Sequence, residues 1–206
     1  FASRPGYVAA FLQDAFNAPL VVQLAEELRR ALPTVLGPHR LMNMWAFKYA
    51  NNESDWPLEG TAVHADIAAV NVNLWITDDE ANLDPDGGGL VVYTKQAPRD
   101  WGFEDYNSKE QVPKIREHLR DSRFVAVAHR RNRVVLFNSN LFHETQVPLF
   151  RPGYSNRRIN LTFLFGRRCG SGGAAANEGR GSSRGGRRTQ RRARRSGGRA
   201  AAAAEL

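Results

Sequence analysis

The spacing of apolar positions along the chain changes near residue 40. Before that point apolar residues recur every three or four positions, which is typical of amphipathic helices. One helix is predicted after Pro5, and a second from about Pro19 to Leu32, ending near Pro33. The apolar stripe of the first helix consists of Val8, Phe11, Leu12, Ala15 and Phe16. We therefore expect residues 1–40 to form N-terminal helices that pack on the rest of the chain.

After residue 40 the chain consists of short apolar runs separated by turn-forming residues, a pattern typical of β-strands. A longer insert, Lys95–Arg123, includes a predicted short helix near Val112–Leu119. Many short strands after leading helices predict a mainly β fold with flanking helices, a β-sandwich or jelly roll over residues 41–166. The predicted strands are Leu41–Ala50, Ala68–Ile76, Gly89–Thr94, Phe124–Ala128, Arg133–Asn138 and Arg158–Phe165.

Two of the predicted strands carry polar side chains on one face and apolar side chains on the other. The polar faces consist of Asn71 and Asn73 in one strand and of Arg158, Asn160 and Thr162 in the other. Such a face ordinarily meets solvent, but asparagine is a poor strand former. Two interpretations therefore remain open, a solvent-exposed sheet face and a polar cavity inside a barrel.

The composition narrows the possible classes of protein. Of the 206 residues, 42% are hydrophobic, which is enough for a sizeable core. The single cysteine, Cys169, excludes an intramolecular disulfide framework and a cysteine-rich zinc module, and it favours a reducing compartment such as the cytoplasm. The sequence contains no run of about 18 apolar residues, so no membrane span is expected.

Positive charge is concentrated at the end of the chain. Residues 167–206 contain 11 arginines and two acids, whereas residues 1–166 hold 18 lysines and arginines against 19 acids. This tail has too little apolar surface to offset its ordering entropy, so we expect it to be disordered. Nucleic-acid binding through the arginines is one interpretation. A solvated tail is favoured, because no aromatic residue stands among the arginines to stack on bases.

His64 and Asp66 lie two positions apart, so in an extended chain both side chains project to the same side. His143, which follows the predicted strand Arg133–Asn138, is the best candidate for a third metal ligand. Two imidazoles and one carboxylate on one face of an octahedron leave open positions, an arrangement suited to non-haem Fe(II) and O₂ chemistry. Taken singly, each histidine is more consistent with a structural role.

Arg158 favours the metal-site interpretation over a structural role for the two histidines. It lies 15 residues after His143 on the polar face of its strand, whereas Arg157 falls on the apolar face. A buried guanidinium is costly unless an anion neutralises it, and its planar donors match a carboxylate. The pattern therefore favours a dicarboxylate ligand between a metal and Arg158 over a surface ion pair.

The order His64-x-Asp66, His143 and Arg158-x-Asn160 resembles the Fe(II)- and 2-oxoglutarate-dependent dioxygenases, which are built on a double-stranded β-helix. The match extends from residue 41 to residue 166. The early helices and the strand before Thr77 are similar to the phytanoyl-CoA-hydroxylase-like and prolyl-hydroxylase-like branches. One departure is the spacing from His143 to Arg158, which is longer than in much of the family.

The resemblance implies a hydroxylase that uses Fe(II), 2-oxoglutarate and O₂ and releases succinate and CO₂. The metal ligands would be His64, Asp66 and His143, with Arg158 bound to the distal carboxylate of 2-oxoglutarate. Strand position makes three further residues candidates for hydrogen bonds to the cosubstrate, namely Asn73, Tyr93 and Thr162. Residues that could orient the metal ligands are Glu144, Thr145 and Asn138. The substrate, a small molecule or a protein, is unidentified.

Several alternatives remain open at this stage. A metal-binding jelly roll of the cupin type would share the ligands but would not use 2-oxoglutarate. The aromatic residues of the insert, Trp101, Phe103 and Tyr106, fit either a substrate lid or packing of the insert onto the sheet. The run Gly87–Gly89 favours a tight turn or close backbone approach to the cavity over a phosphate loop.

Overall fold

The computed structural model describes residues 2–4, 6–14, 16–51 and 58–168. Strands β1 to β9 and helices α1 to α3 are short and are joined by turns. In chain order they are β1 Ala2–Arg4, β2 Tyr7–Phe11, α1 Pro19–Ala31, β3 Leu41–Tyr49, β4 Val70–Trp75, β5 Leu90–Gln96, α2 Phe103–Asn107, α3 Val112–His118, β6 Phe124–Val127, β7 Val134–Asn138, β8 Leu141–Thr145 and β9 Ile159–Phe165.

The strands form two sheets whose inner faces enclose a cavity. The larger sheet has the order β1-β2-β3-β9-β4-β7, and the smaller has the order β6-β5-β8. All the strand pairs are antiparallel. This arrangement is the predicted mainly β jelly roll with flanking helices.

The two faces of the larger sheet bury different kinds of side chain. Its outer face packs against α1, where Ala25 contacts a cluster that includes Val72 and Phe163. Its inner face combines aromatic side chains of β3 with the polar side chains of β4 and β9. Side chains alternate along a strand, so each strand of this sheet supplies one face to the apolar core and the other to the cavity.

The insert between β5 and β6 covers the back of the smaller sheet. Tyr106 and Ile115 are buried against Val63, Ala65 and Phe142, which are the neighbours in sequence of the candidate metal ligands. Trp101 and Phe103 pack against the same cluster. The packing interpretation of these aromatic residues is therefore the one that fits the structure.

The helical prediction for the start of the chain is wrong in its first half. Tyr7–Phe11 is strand β2, which pairs with β3 from Tyr7↔Tyr49 to Phe11↔Trp45. Tyr7, Ala9 and Phe11 also alternate with period two, and their packing against Phe47 and Trp45 outweighs the helical spacing. The second predicted helix is confirmed as α1.

The six predicted strands and the helix near Val112–Leu119 are all present within two residues of their predicted ends. Strand β8 and helix α2 were not predicted. Most of the predicted arginine-rich tail, residues 169–206, lies outside the described residues. Within that tail, Arg168 is buried, and its Nη2 donates to the carbonyl of Ala97 at 2.8 Å. No helix among the described residues is long and apolar enough to span a membrane.

Candidate metal centre and anion pocket

The cavity between the sheets is polar at its centre and aromatic at one side. Of the two interpretations of the asparagine face, the structure therefore supports the polar cavity. The cavity is lined by Trp45, Phe47, Tyr49, Thr61, His64, Asp66, Asn71, Asn73, Leu90, His143, Thr145, Asn160 and Thr162.

His64, Asp66 and His143 meet at one end of this cavity. One ligand atom from each lies within 4.8 Å of the others. Asp66 Oδ1 is 3.8 Å from His64 Nε2, and Asp66 Oδ2 is 3.4 Å from His143 Nε2. All three side chains are buried. The set has the size and the donor types of a two-histidine, one-carboxylate metal site.

Backbone pairing brings the two distant histidines together. His64 and His143 form an isolated antiparallel bridge, in which each backbone N–H donates to the carbonyl of the other, at 3.0 and 2.8 Å. His143 belongs to β8, whereas Asp66 lies beyond the bridge and is held by its N–H, which donates to the Ser139 carbonyl. The bridge between His64 and His143, together with the bond from Asp66 to Ser139, therefore fixes the three side chains around one point.

Both imidazoles present Nε2 to the centre of the set because Nδ1 is occupied. His64 Nδ1 lies 2.8 Å from the Ala62 carbonyl, and His143 Nδ1 lies 3.1 Å from the Leu141 carbonyl. A carbonyl only accepts, so each Nδ1 carries the proton and each Nε2 keeps its lone pair. Burial and the nearby His143 lower the pKa of His64 to about 4, which keeps its imidazole neutral.

Asp66 is held by an amide of the larger sheet. Asn71 Nδ2 donates to Asp66 Oδ2. Burial raises the pKa of Asp66, but its contact with His143 and the hydrogen bond from the Asn71 amide bring its pKa below the usual value. The site therefore combines one carboxylate with two imidazoles whose Nε2 atoms lie close to it.

A row of polar side chains extends from Asn71 across the cavity wall. Asn73 Nδ2 donates to Asn71 Oδ1 at 2.8 Å. Asn73 Oδ1 accepts from Asn160 Nδ2 and from Thr162 Oγ1, each at 3.0 Å. Asn73 and Thr162 therefore line the cavity, as predicted for cosubstrate contacts, but both also bond to neighbouring side chains.

Arg158 is fully buried next to Tyr49, one of the residues that line the cavity. Its Nε donates to the Gly88 carbonyl at 2.5 Å, and its guanidinium carbon lies 4.7 Å from the centre of the Tyr49 ring. Among the described residues, neither Nη1 nor Nη2 has a hydrogen-bond partner. Burial lowers the pKa of Arg158. We refer to the surroundings of these two buried donors, which an anion would satisfy, as the anion pocket.

His129 and Trp75 flank this anion pocket. The Trp75 ring lies 5.7 Å from the Arg158 guanidinium carbon and 5.7 Å from the His129 ring. His129 Nε2 is 3.0 Å from the Thr77 carbonyl. Burial lowers the pKa of His129, which favours its neutral form beside the guanidinium.

Tyr93 does not fit its predicted contact with the cosubstrate. In β5, Val92 pairs with His143 and Leu90 pairs with Thr145, so the alternate residue Tyr93 projects from the opposite face. There its hydroxyl donates to Glu144 and accepts from Arg116. Glu144 therefore also faces away from the cavity, and its neighbour His143 faces into it.

The two other residues expected to orient the ligands have different places. Thr145 lines the cavity and lies 3.2 Å from the Tyr49 hydroxyl. Asn138 Oδ1 accepts from the Asn140 N–H in the turn before β8. Asn71, Tyr49 and Thr61 also line the cavity, although none of them was predicted to belong to the site. Of these, only Asn71 carried a signal, its place on the polar face beside Asn73.

No family model and no curated protein matches the sequence. Several solved structures match the fold. They include SnoK, a non-heme alpha-ketoglutarate-dependent carbocyclase from nogalamycin biosynthesis, with a TM-score of 0.51 and 14% identity. SnoN, an epimerase of the same biosynthesis and cofactor type, matches with a TM-score of 0.53 and 14% identity. AviO1 from Streptomyces viridochromogenes matches with a TM-score of 0.52 and 18% identity.

The matches cover most of this chain but less of the other proteins. They include 80% of this chain with SnoK, 80% with SnoN and 82% with AviO1. They span 66%, 64% and 71% of those three chains, respectively. The chain therefore has the jelly-roll fold of non-heme 2-oxoglutarate-dependent oxygenases, as the resemblance in its sequence predicted.

Proposed function

We propose that the chain is a non-haem Fe(II)- and 2-oxoglutarate-dependent oxygenase that hydroxylates an unidentified small molecule or protein. The observation that carries the proposal is the pairing of a buried two-histidine, one-carboxylate set with a buried guanidinium that has two free donors. When bound, Fe(II) with 2-oxoglutarate supplies the oxidising chemistry, in which O₂ is consumed and succinate and CO₂ are released.

The metal end of the cavity consists of His64, Asp66 and His143, whose ligand atoms are already gathered around one point. The carbonyls of Ala62 and Leu141 fix the imidazoles in the tautomer that a metal requires. Asp66 supplies the negative charge. Three ligands from one side leave room for a chelating cosubstrate on the other.

The anion end, which is the guanidinium of Arg158, favours 2-oxoglutarate as the cosubstrate over a ligand without a second carboxylate. Nη1 and Nη2 of Arg158 form a planar pair of donors that matches a carboxylate. A cupin-like site with no anion would leave this charge buried and uncompensated, at a cost of several kcal/mol. Asn73 and Thr162 line the same cavity and are the candidates for further cosubstrate contacts.

An anaerobic titration tests the proposal directly. Fe(II) and then 2-oxoglutarate are added to the purified chain, and the visible charge-transfer band of the chelate is recorded. We expect the band in the wild type and in His118→Ala, a control histidine outside the cavity. We expect no band in His64→Ala, Asp66→Ala or His143→Ala, because each loses a ligand.

Turnover provides the second measurement. On admission of O₂, the wild type should convert 2-oxoglutarate to succinate even without substrate, at a slow uncoupled rate, and hydroxylation of a candidate substrate adds one oxygen atom by mass spectrometry. Metal binding without any response to 2-oxoglutarate would overturn the proposal and favour the cupin-like alternative.

A further inference from the structure

We infer that Asn71 is a positioning residue of the metal centre, which holds the Asp66 carboxylate in one orientation and is itself held by a directed row of side chains. The inference rests on the proposed metal site and concerns residues that do not bind the metal. The row consists of Asn71, Asn73, Asn160 and Thr162.

The charge of Asp66 determines the direction of every bond in the row. An ionised carboxylate only accepts, so Asn71 must donate through Nδ2. Asn71 Oδ1 is then left as an acceptor, and Asn73 must donate to it, at 2.8 Å. Asn73 Oδ1 in turn accepts from Thr162 Oγ1 at 3.0 Å. Each donor therefore points toward the carboxylate.

Burial strengthens the hydrogen bonds of this row. Asn71, Asn73, Asn160 and Thr162 are each at most 5% exposed, so water does not compete for their bonds. Hydrogen bonds that point the same way polarise one another in a medium of low dielectric constant. The amide next to an anion at the end of such a row is a stronger donor than an isolated asparagine.

The bond from Asn71 distinguishes the two carboxylate oxygens. Asn71 occupies Oδ2, whereas Oδ1 receives no amide donor from the described residues and lies 3.8 Å from His64 Nε2. Without Asn71, rotation about the bond between Cβ and Cγ would exchange the oxygens. A carboxylate that can rotate is a weaker and less uniform ligand, because binding must first order it.

The row also connects two strands that are not adjacent in sequence. Asn71 and Asn73 lie on β4, and Asn160 and Thr162 lie on β9, which begins immediately after Arg158. The strands pair in register, with Asn73 opposite Thr162. The orientation of Asp66 is therefore set by the same strand that carries the anion pocket.

Cobalt(II) provides a test that does not depend on turnover, because its visible d–d spectrum reports both affinity and ligand geometry. We expect Asn71→Ala to weaken cobalt(II) binding by about tenfold and to change the band shape. Asn71→Asp should weaken binding at least as much, since an ionised side chain cannot donate. Asn43→Asp is the charge-matched control outside the cavity and should bind as the wild type does.

Thr162 provides a milder pair of variants in case changes at Asn71 disturb folding. Thr162→Val is nearly isosteric but cannot donate to Asn73, so it should weaken cobalt(II) binding by a few-fold. Thr162→Ser keeps the hydroxyl and should restore both the affinity and the spectrum. Circular dichroism shows whether each variant is folded.

The outcomes separate this inference from the proposed function. If the wild type binds no cobalt(II), the proposed metal site itself is wrong. If the wild type binds but folded Asn71→Ala binds within twofold of it with an unchanged spectrum, the positioning role is wrong and the metal site stands. Equal affinities for Thr162→Val and Thr162→Ser would remove the row beyond Asn73 from the inference.

Discussion

The metal end and the anion end of the cavity differ in how completely their polar atoms are paired. At the metal end, Nδ1 of each histidine and Oδ2 of Asp66 already have partners within the chain. At the anion end, Arg158 makes one hydrogen bond, through Nε, and lies against the Tyr49 ring, while its two terminal nitrogens are buried without a hydrogen-bond partner. On the proposed function, one end is preorganised for an ion, whereas the other is completed only by a ligand.

The largest effect is expected for a substitution of Arg158, which should lower the affinity for 2-oxoglutarate and leave metal binding intact. Arg158→Gln removes two charge-assisted hydrogen bonds to a carboxylate, a loss of about 3 kcal/mol or roughly a hundredfold in Kd. Cobalt(II) affinity in the absence of 2-oxoglutarate should stay within twofold of the wild type. Calorimetric titration of both ligands checks this, and an equal loss of metal binding would show that the two ends are not separable.

Substitutions at the two ends should differ in their effect on the free energy of unfolding of the ligand-free protein. Asn71→Leu leaves Asp66 Oδ2 and Asn73 Nδ2 unpaired, so it should lower the free energy of unfolding by about 1–3 kcal/mol. Arg158→Met removes a buried charge that has no ion-pair partner among the described residues, but it also loses the bond to Gly88 and the contact with the Tyr49 ring, so stability should stay within about 1 kcal/mol of the wild type. Urea unfolding of the metal-free variants measures both. Strong destabilisation by Arg158→Met would mean that the guanidinium is already compensated.

A smaller effect is expected from His129, beside Arg158, on the pH dependence of the free energy of unfolding. The pKa of His129 is lower in the folded state than in the unfolded state, so the unfolded chain takes up a proton first as the pH falls below about 6.5. The free energy of unfolding should therefore decrease from about pH 7 toward pH 5. His129→Gln retains a donor for the Thr77 carbonyl and should reduce this slope. An unchanged slope would exclude a contribution from His129.

The smallest effect is expected on the outer face of the smaller sheet. Tyr93 bonds to Glu144 and Arg116 and projects away from the cavity. Tyr93→Phe should therefore leave the Kd for 2-oxoglutarate within twofold of the wild type, in contrast to Arg158→Gln. A loss of tenfold or more would mean that this hydroxyl reaches the cosubstrate after all.

The sequence predicted those parts of the fold and site that depend on local periodicity. Alternation predicted inward faces for Asn71, Asn73 and Arg158, of which the first two line the cavity and Arg158 lies against Tyr49. The spacing of His64 and Asp66 placed both on one side of the chain. Tyr93 was assigned by strand membership without its parity relative to β8, and parity places it outside.

Other features depend on tertiary contacts that no local pattern records. Tyr7–Phe11 has both helical and strand periodicity, and pairing with β3 selects the strand. Leu141–Thr145 contains His143 and Glu144 among few strongly apolar residues, and it becomes β8 because β5 and the His64 bridge satisfy its backbone. The roles of Tyr49 and Thr61 follow only from their position in the assembled cavity.

The contact between Arg158 and Gly88 has a consequence for redesign of this scaffold. The acceptor is a main-chain oxygen, so exchanging side chains in the surrounding turn cannot delete it. Only the course of the turn can move it, and that course depends on Gly88 at φ +70° and on Gly89, where an added Cβ would lie 1.8 Å from the Val127 carbonyl oxygen. Libraries that keep the proposed metal ligands, Asn71 and these two glycines can therefore vary the rest of the cavity wall without deleting this contact.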